Sequence, residues 1–360
     1  MNNKKGILKF KVLGIFLSLV LILTSCSSPS KKETTTTDVE KKQETTVKTR
    51  KITNVDGTEY EIPEEITGVA PTIGAFAHIT AMLGGSEKLV ATIPNLSDLF
   101  KAVWPKTNPD GYDTSNIEDI IASGAQITYG PNYTEEQMQQ LEAANIVTLK
   151  VNAFSNVEEM KNIVTLVGDI LGDDAPEKAK EFNEYYDNNI SYVKEKTKDL
   201  KEEEKIKVLN LRTSGGNYTT VNGKDISAEY AKAAGGIFVS DSYEGVSGEM
   251  TVNTEQILEW NPDVIFTMGA ESGETIKNDP ALANVEAVKN GKVFVEPSGT
   301  YPWSVRSAEG ALMPLFLGKI MYPEIFEELS IEDETKKFYD EIYGYKLSEE
   351  EVEKIMAGEK

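Results

Sequence analysis

Residues 173–205 read DDAPEKAKEFNEYYDNNISYVKEKTKDLKEEEK, and the fold turns on what this stretch separates. Its apolar and aromatic positions, Ala179, Phe182, Tyr186, Ile190, Val193 and Leu200, recur close to helical spacing. Asp174 suits an N-cap, and Pro176 falls where the first helical turn tolerates proline. The stretch is expected to form one long helix with a charged, solvated opposite face. Each flank carries the same short pattern. Before the helix, Asn116-Ile117-Glu118-Asp119-Ile120-Ile121 leads to Ala125-Gln126-Ile127-Thr128-Tyr129; after it, Asn253-Thr254-Glu255-Gln256-Ile257-Leu258 leads to Pro262-Asp263-Val264-Ile265-Phe266. The offsets from Asn to Glu to the strand-like run match. Two similar halves joined by one helix is therefore the expected architecture.

Length allows it, because 360 residues can bury the cores of two lobes. The formal charge of −22 argues against nucleic acid as a partner, since phosphate binding needs a basic surface. A single cysteine, Cys26, rules out an internal disulfide. A single histidine, His78, rules out a His-rich zinc or haem site built from protein alone, and any Ser-His-Asp enzyme would have to use it as base. Lys4, Lys5, Lys9 and Lys11 precede an apolar run from Val12 to Leu23, short for a membrane span and suited to a signal segment. It ends in Leu23-Thr24-Ser25-Cys26, which resembles a bacterial lipobox. Residues 1–25 are thus expected to be a lipoprotein signal peptide, with Cys26 lipidated and the mature chain held at the outer face of the cell membrane. Multiple acyl chains hold stably where one is marginal. Residues 26–50 have little to bury and read as a disordered tether.

Beyond the tether, residues 51–63 read as a hairpin around Asp56-Gly57. Strand-like and helical runs then alternate to residue 155, the expectation for an α/β lobe with a mostly parallel sheet. A linking helical segment covers 156–205. Alternation restarts at 206 and continues to 360, with a local hairpin expected around residues 217–221 and Asn222-Gly223. The fold class expected is α/β, with two doubly wound lobes joined by a single long backbone helix. Gly215-Gly216 and Gly235-Gly236 match no phosphate-loop spacing and read as turns and helix stops.

Three stretches carry a resemblance: the hairpin VDGTEYEIPEEI, the paired NIEDIIASGAQITYG and NTEQILEWNPDVIFTMG, and the tail GTYPWSVRSAEGALMPLFLGKIMYPEIFEELSIEDETKKFYDEIYGY. Together they resemble the substrate-binding lipoproteins of ABC importers for ferric siderophores, haem and cobalamin, from about Ile52 to the C-terminus. The resemblance implies a non-enzymatic, monomeric solute-binding protein without a cofactor of its own. Its partners would be a permease, an ATPase subunit and a small metal chelate held between the lobes. It also implies that Glu118 and Glu255, one per lobe, meet arginines of the permease. Two carboxylates held apart on rigid lobes would set register and steer association, while each alone is an ordinary first-turn glutamate favoured by the helix dipole.

Ligands of open α/β sheets bind at strand-to-helix loops. On that basis the ligand-binding candidates are Phe76, His78, Asn95, Tyr129, Asn132, Phe154, Arg212, Tyr218, Tyr301, Trp303 and Arg306. Aromatic rings pack on the organic shell of a chelate, and arginine neutralises catecholate or carboxylate charge bidentately. Arg306 with Trp303 is the leading pair. Three readings stand for His78: an axial ligand to a metal, a hydrogen-bonding partner of the ligand, or a buried structural histidine. A ferric siderophore leads the ligand classes, ahead of a corrinoid and haem. An enzyme such as a metal-dependent hydrolase, or a surface scaffold, would be the competing class on the same framework.

Overall fold

The computed structural model describes residues 48–94, 96–107, 112–244 and 248–359. The signal segment, Cys26, most of the tether and Asn95 lie outside them.

Strands β1 (Thr49–Thr53) and β2 (Glu59–Pro63) form the antiparallel opening hairpin in the register Thr49↔Pro63 to Thr53↔Glu59. Its turn closes on Asp56, whose carboxylate accepts from the Thr58 amide at 2.9 Å. Arg50 then reaches out of β1 and donates to Asp169 O at 2.6 Å and Ile170 O at 2.7 Å. A cation on the last carbonyls of helix Val157–Leu171 opposes the negative end of its dipole. A sequence-local hairpin is thereby fastened to a distant helix.

The first lobe holds β3 (Val69–Pro71), β4 (Ala91–Thr92), β5 (Tyr112–Asp113), β6 (Ile127–Gly130) and β7 (Val147–Lys150). β3, β6 and β7 pair in parallel, as do β4 and β5. A parallel bridge between Val69 and Leu89 lays the second pair beside β3. The second lobe holds β8 (Lys207–Ser214), β9 (Asn217–Thr220), β10 (Ile237–Phe238), β11 (Met250–Val252), β12 (Val264–Thr267) and β13 (Val293–Val295). The first half of β8 pairs in parallel with β10 and β12, and its second half pairs antiparallel with β9. β11 extends the β9 edge and β13 the β12 edge. The hairpin expected at Asn222-Gly223 falls earlier. Ser214 pairs with Asn217 across Gly215-Gly216, both at positive φ (56° and 80°), which a tight two-residue hairpin turn requires.

The backbone helix is shorter than the expected 173–205. It runs Ala175–Thr197, 23 residues. Asp173 takes a left-handed φ of 52° in the turn after Gly172, so helical geometry cannot begin before it. Asp174 sits at the N-cap position but pairs with Lys178 at 2.9 Å rather than capping backbone. Past Thr197, Lys and Glu predominate and offer almost nothing to bury, and the chain turns at Glu202–Glu204 into β8. Ala179, Phe182, Tyr186, Asn189, Val193 and Thr197 form the buried stripe. Asn189 fits this apolar face by donating to Ala311 O at 2.9 Å. The helix packs against Val157–Leu171, so two helices make the link. The tail reaches back to the first lobe: Tyr343 lies 4.8 Å from Trp104, and Phe338 5.6 Å from Tyr185 of the backbone helix.

Candidate functional site

In parallel α/β sheets the carboxyl ends of strands and the amino ends of following helices share one edge, and ligands bind there. The two lobes bring these edges together. A cavity of about 460 Å³ lies between them, within the size range of small-molecule sites. The first lobe supplies Ile93, Leu96, Ser97 and Asp98, which follow β4, and His78 from helix Gly74–Thr80. The second lobe supplies Met268, just after β12, and a strap after β13 comprising Ser298, Gly299, Thr300, Tyr301, Pro302 and Val305. A bridge between Ser298 and Pro302 folds the strap on itself. A larger concavity, about 600 Å³, runs past Asn156, Lys194, Glu229 and Lys232. It is lined mainly by helix surfaces and by the turn at Gly223 rather than by sheet edges of both lobes, so the strand-end cavity is the better candidate.

Hydrogen bonds tie the lobes at this cavity. His78 Nε2 lies 2.9 Å from Thr300 O, and Nδ1 lies 2.8 Å from Gly74 O. Burial pushes the His78 pKa below its ordinary value, and the two carbonyls oppose that shift. A neutral ring has one N–H and can donate to only one of these carbonyls at a time. Ser97 Oγ also donates to Thr300 O, at 3.1 Å. Arg306 Nε donates to Phe154 O of the first lobe at 2.7 Å. Its backbone φ of 26° is unusual for a residue with a side chain, a strain of about 1–3 kcal/mol that clusters at functional sites. No carboxylate stands within ion-pair distance of Arg306 among the described residues. Tyr301 is raised in pKa by burial, and Arg306 acts against that rise.

Other expected contacts turn inward. Phe76, Tyr129 and Phe154 are buried and pack together, with ring centroids 6.1 Å and 6.5 Å from Phe76. Trp303, paired with Arg306 in the sequence reading, has 0% exposure and donates its indole N–H to Glu309 Oε2 at 2.9 Å. These four rings hold the cavity's surroundings and present no surface to a ligand. Tyr218 bonds to Asp279 and is not among the residues lining the cavity, and Asn132 is exposed on a loop outside that lining. Arg212 is buried, donating through Nη2 to Ser304 Oγ at 3.0 Å. Near it lies Glu296, fully buried, its pKa raised by burial and lowered in part by Arg212. His78 and Tyr301 do reach the cavity wall, and Arg306 lies beside it. Sequence reasoning missed Ser97 and Glu309. Ser97 carried a signal, as an N-cap serine on a strand-to-helix loop accepting from the Phe100 amide.

Glu118 and Glu255 are both exposed in first helical turns. Asn116 and Asn253 both cap those helices through their side-chain oxygens, Asn116 accepting from the Glu118 amide two residues on and Asn253 from the Gln256 amide three residues on. Both helices begin at the strand-carboxyl edge of their lobe and lead into β6 and β12. The repeated sequence pattern is therefore a repeated structure.

Two α/β lobes linked by helices, with a cavity where their strand ends meet, define a bilobal solute-binding protein. The model of the periplasmic binding protein family matches residues 69–299, and the chain belongs to that family. It is 21% identical over 313 residues to the molybdate-binding protein MolA of Haemophilus influenzae, covering 78% of this chain and 87% of MolA. The structure of MolA bound to molybdate superposes with a TM-score of 0.71 at 19% identity, covering 83% of this chain and 99% of that one. The high-affinity heme uptake system protein IsdE of Staphylococcus aureus is 24% identical over 297 residues, covering 79% of this chain and 88% of IsdE. A periplasmic solute binding protein from Veillonella parvula superposes with a TM-score of 0.74 at 24% identity, covering 86% and 97% of the two chains. The chain is accordingly an extracytoplasmic solute-binding component of an ABC importer, a transport protein and not an enzyme.

Proposed function

We propose that this protein captures a metal chelate, foremost a ferric siderophore, in the inter-lobe cavity and delivers it to a permease. The observation that carries the reading is the cavity itself: strand ends of both lobes, an aromatic wall at Tyr301, and Arg306 near that ring with no carboxylate in ion-pair distance among the described residues. An organic shell packs on the ring and the apolar side chains Ile93, Leu96, Met268 and Val305. Its anionic groups find arginine, which binds carboxylate or catecholate through a fork of donors. A volume of about 460 Å³ favours a compact chelate over a corrinoid. Haem is the second reading, supported by the similarity to IsdE. A bare oxyanion, the ligand named for MolA, would leave the apolar lining unused.

Glu118 and Glu255 serve in this reading as the two docking points for the permease, and lipidation of Cys26 keeps the protein at the outer membrane face as a monomer. Among the described residues no helix is long and apolar enough to cross a membrane. Titrating intrinsic tryptophan fluorescence with ferric siderophores, cobalamin, haem and molybdate tests the ligand class. Saturable quenching by a ferric siderophore at lower concentration than by the others is expected. A response to molybdate alone would overturn the chelate reading.

A further inference from the structure

The cavity strap is fastened from behind by one buried acid. Glu309 has 0% exposure and belongs to the turn Ala308–Leu312. Its Oε1 accepts from the Thr300 amide at 2.8 Å, from the Thr300 hydroxyl and from Tyr339 Oη at 2.9 Å. Its Oε2 accepts from the Trp303 indole at 2.9 Å. No lysine or arginine lies within ion-pair distance among the described residues. Burial pushes this carboxyl above its ordinary pKa, and the four donors work against that rise. The strap backbone can come this close because residue 299 is glycine. A Cβ there would sit 2.2 Å from Glu309 Oε2 and 2.1 Å from Tyr339 Oη. On its other side Thr300 turns its carbonyl to His78 Nε2 and Ser97 Oγ of the first lobe.

The geometry points to Glu309 as the positioning residue of the cleft: its carboxylate fixes Thr300 so that one peptide carbonyl clamps His78 and Ser97 across the lobes and holds the strap as the cavity wall. Glu309 touches no ligand and acts through Thr300. Each of its oxygens faces a group that can only donate, the Thr300 amide on one and the Trp303 indole on the other. Glu309→Gln therefore cannot keep the arrangement, because whichever way the amide turns, its NH₂ meets an N–H. Removing the indole N–H with Trp303→Phe frees the second position for that NH₂. The effects of the two substitutions are thus coupled rather than additive. This inference rests on the relay alone and stands or falls separately from the chelate reading.

His78 is the only histidine in the chain, so labelling histidine with nitrogen-15 reads the far end of the relay directly. In the unsubstituted protein at neutral pH, the two ring nitrogens should give distinct signals of a neutral ring whose N–H is held on Nε2, the nitrogen facing Thr300 O. In folded Glu309→Gln both signals should move toward the averaged values of a free imidazole, and adding Trp303→Phe should move them part of the way back. Tyr339→Phe would not isolate the acid, because Tyr339 Oη both donates to Glu309 and accepts from the Thr300 amide at 3.0 Å. Trp303→Phe alone removes one Glu309 donor, keeps the acid and leaves the Thr300 contacts, and should give a smaller shift in the same direction. If Glu309→Gln fails to fold, Trp303→Phe decides. Unchanged His78 signals in a folded variant, with only the melting temperature lowered, would make Glu309 a stability residue and overturn the proposal.

Discussion

Removing the two carboxylates proposed to dock the permease should separate transport from binding. Glu118 and Glu255 are exposed and have no ion-pair partner within reach among the described residues, so Glu118→Ala and Glu255→Ala break no internal contact. What the fold loses is a favourable charge at a helix N-terminus, about 0.3–1 kcal/mol each. Against a permease arginine each carboxylate would make a charge-assisted hydrogen bond of about 1.5–3 kcal/mol. At about 1.4 kcal/mol per tenfold, each substitution should raise the half-maximal concentration of binding protein roughly tenfold to one-hundredfold. The assay is stimulation of ATP hydrolysis by the loaded protein over its permease and ATPase in liposomes. The two sites lie on different lobes and share no partner, so the double variant should multiply the single effects. Added salt should weaken the unsubstituted protein and narrow its lead over the variants. Ligand affinity and melting temperature should hardly move. Half-maximal concentrations that stay the same in both single variants would refute the reasoning, as would a parallel loss of ligand affinity.

Stability predictions follow from the buried groups. Phe182, 1% exposed on the backbone helix, should cost about 3–5 kcal/mol when cut to alanine, read by denaturant unfolding; a loss below about 1 kcal/mol would mean that this face does not hold the linking helices together. Arg50→Ala should cost about 2 kcal/mol by the same measurement, because it removes a part-buried cation from the carbonyls of Asp169 and Ile170; no loss would show the hairpin to be fastened by β1–β2 pairing alone. Glu296 predicts a pH effect. Its folded pKa is raised, by burial first and with Arg212 opposing. A raised carboxyl gives stability that is fully present below the unfolded pKa of about 4.3 and is lost as pH rises through the folded pKa. Glu296→Gln cannot ionise, so its melting temperature should gain on that of the unsubstituted protein as pH rises; superimposable pH profiles would contradict the shift.

The fold was legible because its signals are local or repeated. Helical spacing of Ala179, Phe182, Tyr186 and Val193 marks the backbone helix, and the Asn-x-Glu pattern marks an equivalent helix and strand in each lobe. Helix ends were less legible. Charged residues at 198–205 continue a helical composition, yet the chain turns there because they have little to pack. The site was legible in outline only. Strand-to-helix loops pointed to the cavity, and residue type picked out His78 and Tyr301, which line it, and Arg306, which neighbours Tyr301. Trp303, Phe76, Tyr129 and Phe154 have the same chemistry, and nothing in their spacing tells whether a ring beside a cleft faces the ligand or the core. Glu309 was invisible because its role depends on partners at Thr300 and Tyr339 that only the folded strap brings together.

The central claim is that the ligand sits in the inter-lobe cavity, whose wall includes His78. The nitrogen-15 signals of this single histidine test it most directly. Saturating ferric siderophore should broaden both signals beyond detection, since iron(III) is paramagnetic, while the diamagnetic gallium chelate should shift them and leave them sharp. Arg306→Ala should displace both effects to higher ligand concentration. His78 signals that remain sharp and unmoved while tryptophan quenching reports full binding would place the ligand elsewhere and contradict the account.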